Sequence, residues 1–212
     1  YVSIYGSGIY KSSNGGASWS EINTGPMLKK ADPKYLSEQD HVSGIAIDSQ
    51  VPSTIYVGTT WSGVFKSTDG GASWSDTGLM AEKFGASHAG AAYLAIDPQV
   101  PSTVYTLTYG AGAFKSTNGG ASWSAVNNGL PRGLSCLAID PQISSTVYAG
   151  SSHGVFMSTN GGASWSEVNT GMLIVPQEGV LFMAIDPQVS STVYTGWSYP
   201  LALYKSTNGG AR

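Results

Sequence analysis

One ten-residue segment returns along the chain, and its recurrence limits the possible folds more than any other feature. It reads KSTNGGASWS at Lys115–Ser124, with near-copies at Lys11–Ser20, Lys66–Ser75 and Met157–Ser166 and a shortened copy at Lys205–Ala211. Its Asx residue stands at Asn14, Asp69, Asn118, Asn160 and Asn208, at spacings of 55, 49, 42 and 48 residues. Periods of this size belong to the blades of a propeller rather than to short helical repeats.

Each full period divides into four strand-like segments. The first is VSGIAID, AAYLAID, LSCLAID or VLFMAID (Val42–Asp48, Ala91–Asp97, Leu134–Asp140, Val180–Asp186). It is apolar at successive positions, which predicts a strand buried between neighbouring sheets. The second, such as TIYVG or TVYAG, is β-branched and aromatic. The third is GVFKS or a variant, the Asx-Gly-Gly turn follows it, and a fourth strand is expected around ASWSEVN. The expected fold is therefore all-β: a propeller of about five blades, each a four-stranded antiparallel sheet. The units are about 1–24, 42–77, 91–127, 134–169 and 180–210 of one domain spanning 1–212. The chain starts at a second strand and stops after the turn that follows a third. The terminal blades are therefore expected to be incomplete, with two strand places open to another chain or to missing sequence, because open edges invite pairing. It also starts at Tyr1 with neither Met nor a leader, which suggests processing or a fragment.

Composition narrows the partners. Charged residues are 11% of the chain and the net charge is -3, so nucleic acid, which needs clustered Lys and Arg, is not an expected partner. No apolar run approaches the ~20 residues that span a bilayer, so no membrane insertion is expected. The single cysteine, Cys136, lies in the apolar LSCLAID and is expected to be a buried, inert thiol. No metal site and no cofactor are expected. A weakly charged surface rich in Ser, Thr, Gly and Asn suggests an extracellular or secreted protein.

Ser67-Thr68-Asp69-Gly70-Gly71-Ala72-Ser73-Trp74 matches S-x-D-x-G-x-x-W, the Asp box or BNR repeat. With the surrounding AIDPQVPSTVY and GVFKSTDGGASW it resembles the blades of Asp-box propellers: sialidases, xyloglucan-degrading glycoside hydrolases and a photosystem II assembly factor. The resemblance covers nearly the whole chain and speaks to fold before function. It assigns structural roles to Asn14, Trp19, Asp69, Trp74, Asn118, Trp123, Asn160, Trp165 and Asn208. The physical reading agrees. An Asx side chain accepts backbone N–H bonds and closes the turn, Gly-Gly supplies positive φ, and the Trp folds back under the hairpin. Asn replaces the family's Asp in all copies but that of Asp69, which argues against metal or general-acid chemistry at the boxes. A sialidase needs an arginine cluster, and only Arg132 and Arg212 are present. The xyloglucan-degrading enzymes use carboxylates from two large propellers, which this chain is too short to supply. The basic patch of the assembly factor is also absent.

Comparing the units with one another shows where variation falls. Links between first and second strands are five residues each (Ser49–Ser53, Pro98–Ser102, Pro141–Ser145, Pro187–Ser191), with Asp48, Asp97, Asp140 and Asp186 as turn caps before them. Links from a fourth strand to the next first strand run to 17, 13, 5 and 9 residues, at Gly25–His41, Gly78–Gly90, Gly129–Gly133 and Gly171–Gly179. These share one end of the sheets with the second-to-third links, and function concentrates in loops that a scaffold displays. The second-to-third links carry Trp61, Tyr109, His153, Trp197 and Tyr199, which suit stacking on sugar rings, or equally plug a tunnel mouth or pack on the long links. Asp32, Asp40, Glu82 and Glu178 in the long links are candidate acid/base carboxylates, provided that a pair stands roughly 5–9 Å apart. The first functional expectation is a non-catalytic binding or assembly module for glycan or protein. The alternatives are a glycoside hydrolase of the xyloglucanase type or a fragment of one, and a structural subunit of a polymer that self-associates through its incomplete terminal blades.

Overall fold

A computed structural model describes residues 1–4, 8–23, 41–79, 90–108, 110–174, 179–197 and 201–210. Among them are eighteen strands in five antiparallel sheets, each strand paired to its sequence neighbour, and no helix. Sheet 1 holds β1 (Val2–Ile4), β2 (Gly8–Lys11) and β3 (Ser20–Glu21). Sheet 2 holds β4 (Val42–Ile47), β5 (Ile55–Thr59), β6 (Gly63–Ser67) and β7 (Ser75–Asp76). Sheet 3 holds β8 (Ala91–Ile96), β9 (Val104–Thr108), β10 (Gly112–Ser116) and β11 (Ser124–Ala125). Sheet 4 holds β12 (Leu134–Ile139), β13 (Val147–Ser151), β14 (Gly154–Ser158) and β15 (Ser166–Glu167). Sheet 5 holds β16 (Val180–Ile185), β17 (Val193–Trp197) and β18 (Ala202–Ser206). The arrangement is propeller-like.

Two strand expectations need correction. The first strands are not the buried ones: β4 and β12 are mostly half-exposed, whereas β5, β9 and β13 are buried at every residue. A second strand has a ladder partner on both edges and a neighbouring sheet against each face, so burial peaks there. The fourth strands are only two residues long, because the Trp before each leaves the ladder to reach the preceding sheet.

A β-bulge recurs where first and second strands pair, at Val42/Gly44, Ala91/Tyr93, Leu134/Cys136 and Val180/Phe182. A bulge re-aims the extra residue. Here Ser43 donates its hydroxyl to the Ala91 carbonyl of the next sheet, and Ser135 donates to the Val180 carbonyl at 2.5 Å.

The turns are closed by side chains. In sheet 3, Asn118 Oδ1 accepts from Ser122 N at 2.9 Å, and Ser116 Oγ accepts from Gly120 N at 2.9 Å. Gly119 and Gly120 hold φ of 66° and 88°, a region that disfavours side chains. Gly119 N then donates to Ser102 O, tying the turn to its own sheet's five-residue link. In those links Asp48, Asp97, Asp140 and Asp186 each accept two backbone N–H bonds through Oδ1, as turn caps do.

Sheet is joined to sheet by one repeated arrangement. A tyrosine donates its hydroxyl to the first glycine carbonyl of the next sheet's turn: Tyr1 to Gly70 (3.3 Å), Tyr56 to Gly119 (3.0 Å), Tyr105 to Gly161 (3.0 Å) and Tyr148 to Gly209 (3.1 Å). Lys11, Lys66 and Lys115 donate to the same carbonyls at 3.2, 2.9 and 3.0 Å and lie over the same tyrosine rings. Met157 takes the lysine place in sheet 4. In return, Trp74 Nε1 donates to Ile22 O and Trp165 Nε1 to Val126 O of the preceding sheet, at 3.0 and 2.8 Å. The Trp therefore fastens sheet to sheet. Gln50, Gln99 and Gln142 add a further tie, each donating to backbone carbonyls in the next sheet's proline link. Apolar side chains fill each junction. Tyr56 and Val64 pack with Val104 and Phe114 between sheets 2 and 3, and Cys136 and Val155 pack with Val180 and Val193 between sheets 4 and 5.

Candidate functional site

The end opposite the turns carries the variable links. In sheet 2 the link Thr60-Trp61-Ser62 is pinned from both sides. Ser62 N donates to Thr59 Oγ1 at 2.9 Å, Thr60 N donates to His41 O at 3.0 Å, and His41 N donates to Thr60 Oγ1 at 2.9 Å. Gly90, at the start of sheet 3, presses on the Thr60 carbonyl so closely that a Cβ there would overlap it. Trp61 and His41 are each half-buried. In sheet 4 the equivalent link is Ser152-His153. His153 is exposed, its N–H donates to Ser151 Oγ at 3.0 Å, and its carbonyl accepts from Asn169 Nδ2 at 3.0 Å.

Trp197 departs from expectation. It is not in a link but is the last residue of β17 and only 1% exposed. It packs with Cys136, Val155 and Val180 and meets Tyr204 edge-on, with ring centroids 6.5 Å apart. Trp197 is thus a core side chain and offers no face for stacking. Its Nε1 has no hydrogen-bond partner among the described residues. Tyr109 and Tyr199 lie outside the described residues, as do Asp32, Asp40, Glu82 and Glu178.

The eight described carboxylates all serve the scaffold. Asp48, Asp97, Asp140 and Asp186 cap links, and Asp97 and Asp140 also accept the Ser144 and Ser190 hydroxyls of the next sheet at 2.8 and 2.7 Å. Asp69 closes a turn and Asp76 accepts from Gly78 N. Glu21 and Glu167 accept from Asn23 and Asn169 at 2.6 and 2.7 Å. The same holds for a cleft of about 360 Å³ between sheets 3 and 4, lined by Asp97, Tyr105, Lys115, Ser144 and Gly161. Its polar groups bond one another across the junction, and burial pushes the Tyr105 hydroxyl up to about 12. Among the described residues no three or more His, Cys, Asp or Glu gather into a metal-binding group. Cys136 is buried, and burial raises its thiol to about 12, which leaves it without thiolate at neutral pH.

The fold is similar to that of part of the GH74 enzymes. A GH74 enzyme from Niastella koreensis superposes with a TM-score of 0.63 at 22% identity over 80% of this chain and 29% of that one. An ancestral GH74 enzyme gives 0.64 at 23% identity over 92% of this chain and 25% of that one. The extracellular domain of a one-component system from B. thetaiotaomicron gives 0.58 at 13% identity, over 78% and 21%. The chain spans between a fifth and a third of the length of these structures. No protein family model matches it, and no curated protein does. No helix among the described residues is long and apolar enough to cross a membrane.

Within this GH74-like fold, sequence reasoning missed the asparagine that locks the variable end. Asn127 Oδ1 accepts from Ala113 N at 2.7 Å while its Nδ2 donates to Ala111 O at 2.9 Å. Asn169 does the same with Val155 N and His153 O, and Asn23 Oδ1 accepts from Ile9 N. The recurring EIN, AVN and EVN after the fourth strand carry the signal. In sheet 2 the Asn place falls to Gly78, and Thr77, at the position of Ile22, Val126 and Val168, donates its hydroxyl to Val64 O at 2.8 Å.

Proposed function

We propose that the chain is a non-catalytic carbohydrate-binding module of a secreted protein, with the variable-link end as its binding face. In this reading the five sheets are blades of one propeller domain spanning 1–212, and the recurrent turns are Asp boxes. The observation that carries it is the engagement of all eight described carboxylates in turns, clamps and junctions, which leaves a rigid, weakly charged scaffold rather than a reaction centre. Half-buried Trp61 and His41, and exposed His153 on the same end, supply the ring and hydrogen-bonding surfaces that a sugar needs. Likeness to GH74 enzymes and to an extracellular domain supports glycan over protein as ligand, and supports secretion. Affinity gel electrophoresis on xyloglucan and other β-glucans tests this. Retardation is expected and should disappear in Trp61→Ala with unchanged circular dichroism; no retardation on any polysaccharide, or retardation indifferent to that change, refutes it.

The fold likeness favours one other reading, a glycoside hydrolase of the xyloglucanase type or a piece of one, acting through Asp32, Asp40, Glu82 or Glu178. Reducing-sugar release that vanishes on replacing one of these carboxylates would establish it. Binding without release from any polysaccharide would exclude it.

A further inference from the structure

Asparagine followed by glycine is a chemically labile pair in water, because glycine has no side chain to keep its nitrogen from the asparagine carboxamide. This chain has five such pairs, beginning at Asn14, Asn118, Asn128, Asn160 and Asn208. All but that of Asn128 belong to the recurrent turns, which hold the carboxamide. Asn118 Oδ1 accepts from Ser122 N and its Nδ2 donates to Ser122 Oγ, each at 2.9 Å. Asn160 does the same with Ser164 at 2.9 and 2.8 Å. The nitrogens of Gly119 and Gly161 are occupied as well, donating to Ser102 O and Ser145 O at 2.8 Å. Asn128 has neither restraint. It is exposed, and its carboxamide makes a single long contact, Nδ2 to Ala163 O at 3.5 Å. Leu130 N donates to Asn127 O at 3.0 Å, so Asn128 and Gly129 are the middle of a β-turn, whose third N–H has no acceptor within the turn. The Gly129 N–H accordingly has no partner among the described residues. Nor does the fold admit another residue easily at 129: its φ is 92°, and a Cβ would overlap the Trp165 carbonyl.

We propose that Asn128 is a site of spontaneous deamidation and isoaspartate formation, with water as the reactant, while the fold keeps Asn118 and Asn160 as amides. Gly129 N gives up its proton to solvent base and attacks Asn128 Cγ. The new N–Cγ bond closes a five-membered succinimide, and the carboxamide nitrogen takes a proton from water and leaves as ammonia. Water then opens the ring. Cleavage of the N–Cγ bond gives aspartate. Cleavage between Gly129 N and the main-chain carbonyl carbon of Asn128 gives isoaspartate, whose main chain runs through Cβ and Cγ. Water enters, ammonia leaves and nothing is oxidised. Either product adds one negative charge to the net -3 of the chain. Isoaspartate does more, since the Asn128 carbonyl that accepts from Trp165 N at 2.9 Å becomes part of a carboxylate off the main chain. The tie between sheets 3 and 4 is thereby altered beside Trp165. The corresponding NTG segments at Asn23–Gly25 and Asn169–Gly171 carry Thr before the glycine, so sheet 3 alone among the three has the labile pair there.

Peptide mapping by mass spectrometry of the full 212-residue chain, held in mildly alkaline buffer, tests this. In the native protein the acid form should accumulate at Asn128 about tenfold or more faster than at Asn118 or Asn160, where several hydrogen bonds of the turn must open first. Electron-transfer fragmentation should show isoaspartate in place of Asn128. In urea the three sites should react at similar rates, because all three are Asn-Gly and nothing then holds them. Asn128→Thr, the residue type of Thr24 and Thr170, should suppress the acidic species in isoelectric focusing with unchanged circular dichroism. Equal rates at the three sites in the native protein, conversion confined to the turns, or a preference for Asn128 that persists undiminished in urea overturns the inference.

Discussion

At the residue scale the recurrent turn shows why Asn and Asp exchange freely at one position. Asn118 Nδ2 donates to Ser122 Oγ at 2.9 Å, whereas in sheet 2 Ser73 Oγ donates to Asp69 Oδ2 at 2.5 Å. The hydroxyl reverses its role and the loop keeps its shape. Charge is what differs. Ser73, through its hydroxyl and its N–H, and then Ser67 hold the Asp69 carboxyl at about 2 against an ordinary 3.8. A depressed folded value gives a stability contribution that is complete above the ordinary value and lost as pH falls from there to about 2. Thermal melts between pH 5 and pH 2 should therefore fall more steeply for wild type than for Asp69→Asn; parallel curves would contradict this. The tryptophans divide by surroundings. Trp74→Ala should cost about 3–5 kcal/mol in urea unfolding, because it empties a packed junction and frees the Ile22 carbonyl. Trp19→Ala in dilute solution should cost below about 1 kcal/mol. Sequence made these five turns recognisable as equivalent but could not separate Trp19 from Trp74, since the difference lies in what the neighbouring sheet supplies.

Among elements, strand order was readable and strand depth was not. Period and composition located eighteen segments in the right succession, because apolar and β-branched runs between glycine turns leave few alternatives. The bulges escaped notice, since an extra residue in one strand of a pair shows only against its partner. Trp197 was misplaced for a related reason. It occupies the position of Thr59, Thr108 and Ser151, whose buried hydroxyls donate back to Gly63, Gly112 and Gly154 carbonyls. Aligning the strand ends rather than the links would have put it in the core. The asparagine clamp gives an element-scale prediction. Asn169→Ala leaves Val155 N–H and the His153 carbonyl without their partner and should cost about 1–3 kcal/mol, read from denaturant midpoints. Asn169→Asp, which keeps the acceptor and loses the donor, should fall between the two; equal stability of all three proteins would remove the clamp from the account.

For the whole molecule, stability is a sum over nearest-neighbour junctions, as in other repeat architectures. Among the described residues, sheets 2, 3 and 4 are covered on both faces and sheets 1 and 5 on one. Amide hydrogen exchange of the 212-residue chain should thus be faster in β1–β2 and β16–β18 than in β5, β9 and β13; uniform protection would contradict a junction-by-junction account. The number of units was legible from the period alone. How the end sheets are covered was not, because the period describes each unit and is silent about its neighbours. The glutamine ties carry a consequence for descent. Gln50, Gln99 and Gln142 each grip only the link that follows, and each finds the same backbone there. A lineage can therefore gain or lose a whole unit by unequal recombination and inherit every joint ready-made, whereas a slip of a few residues inside a unit would leave a glutamine facing nothing.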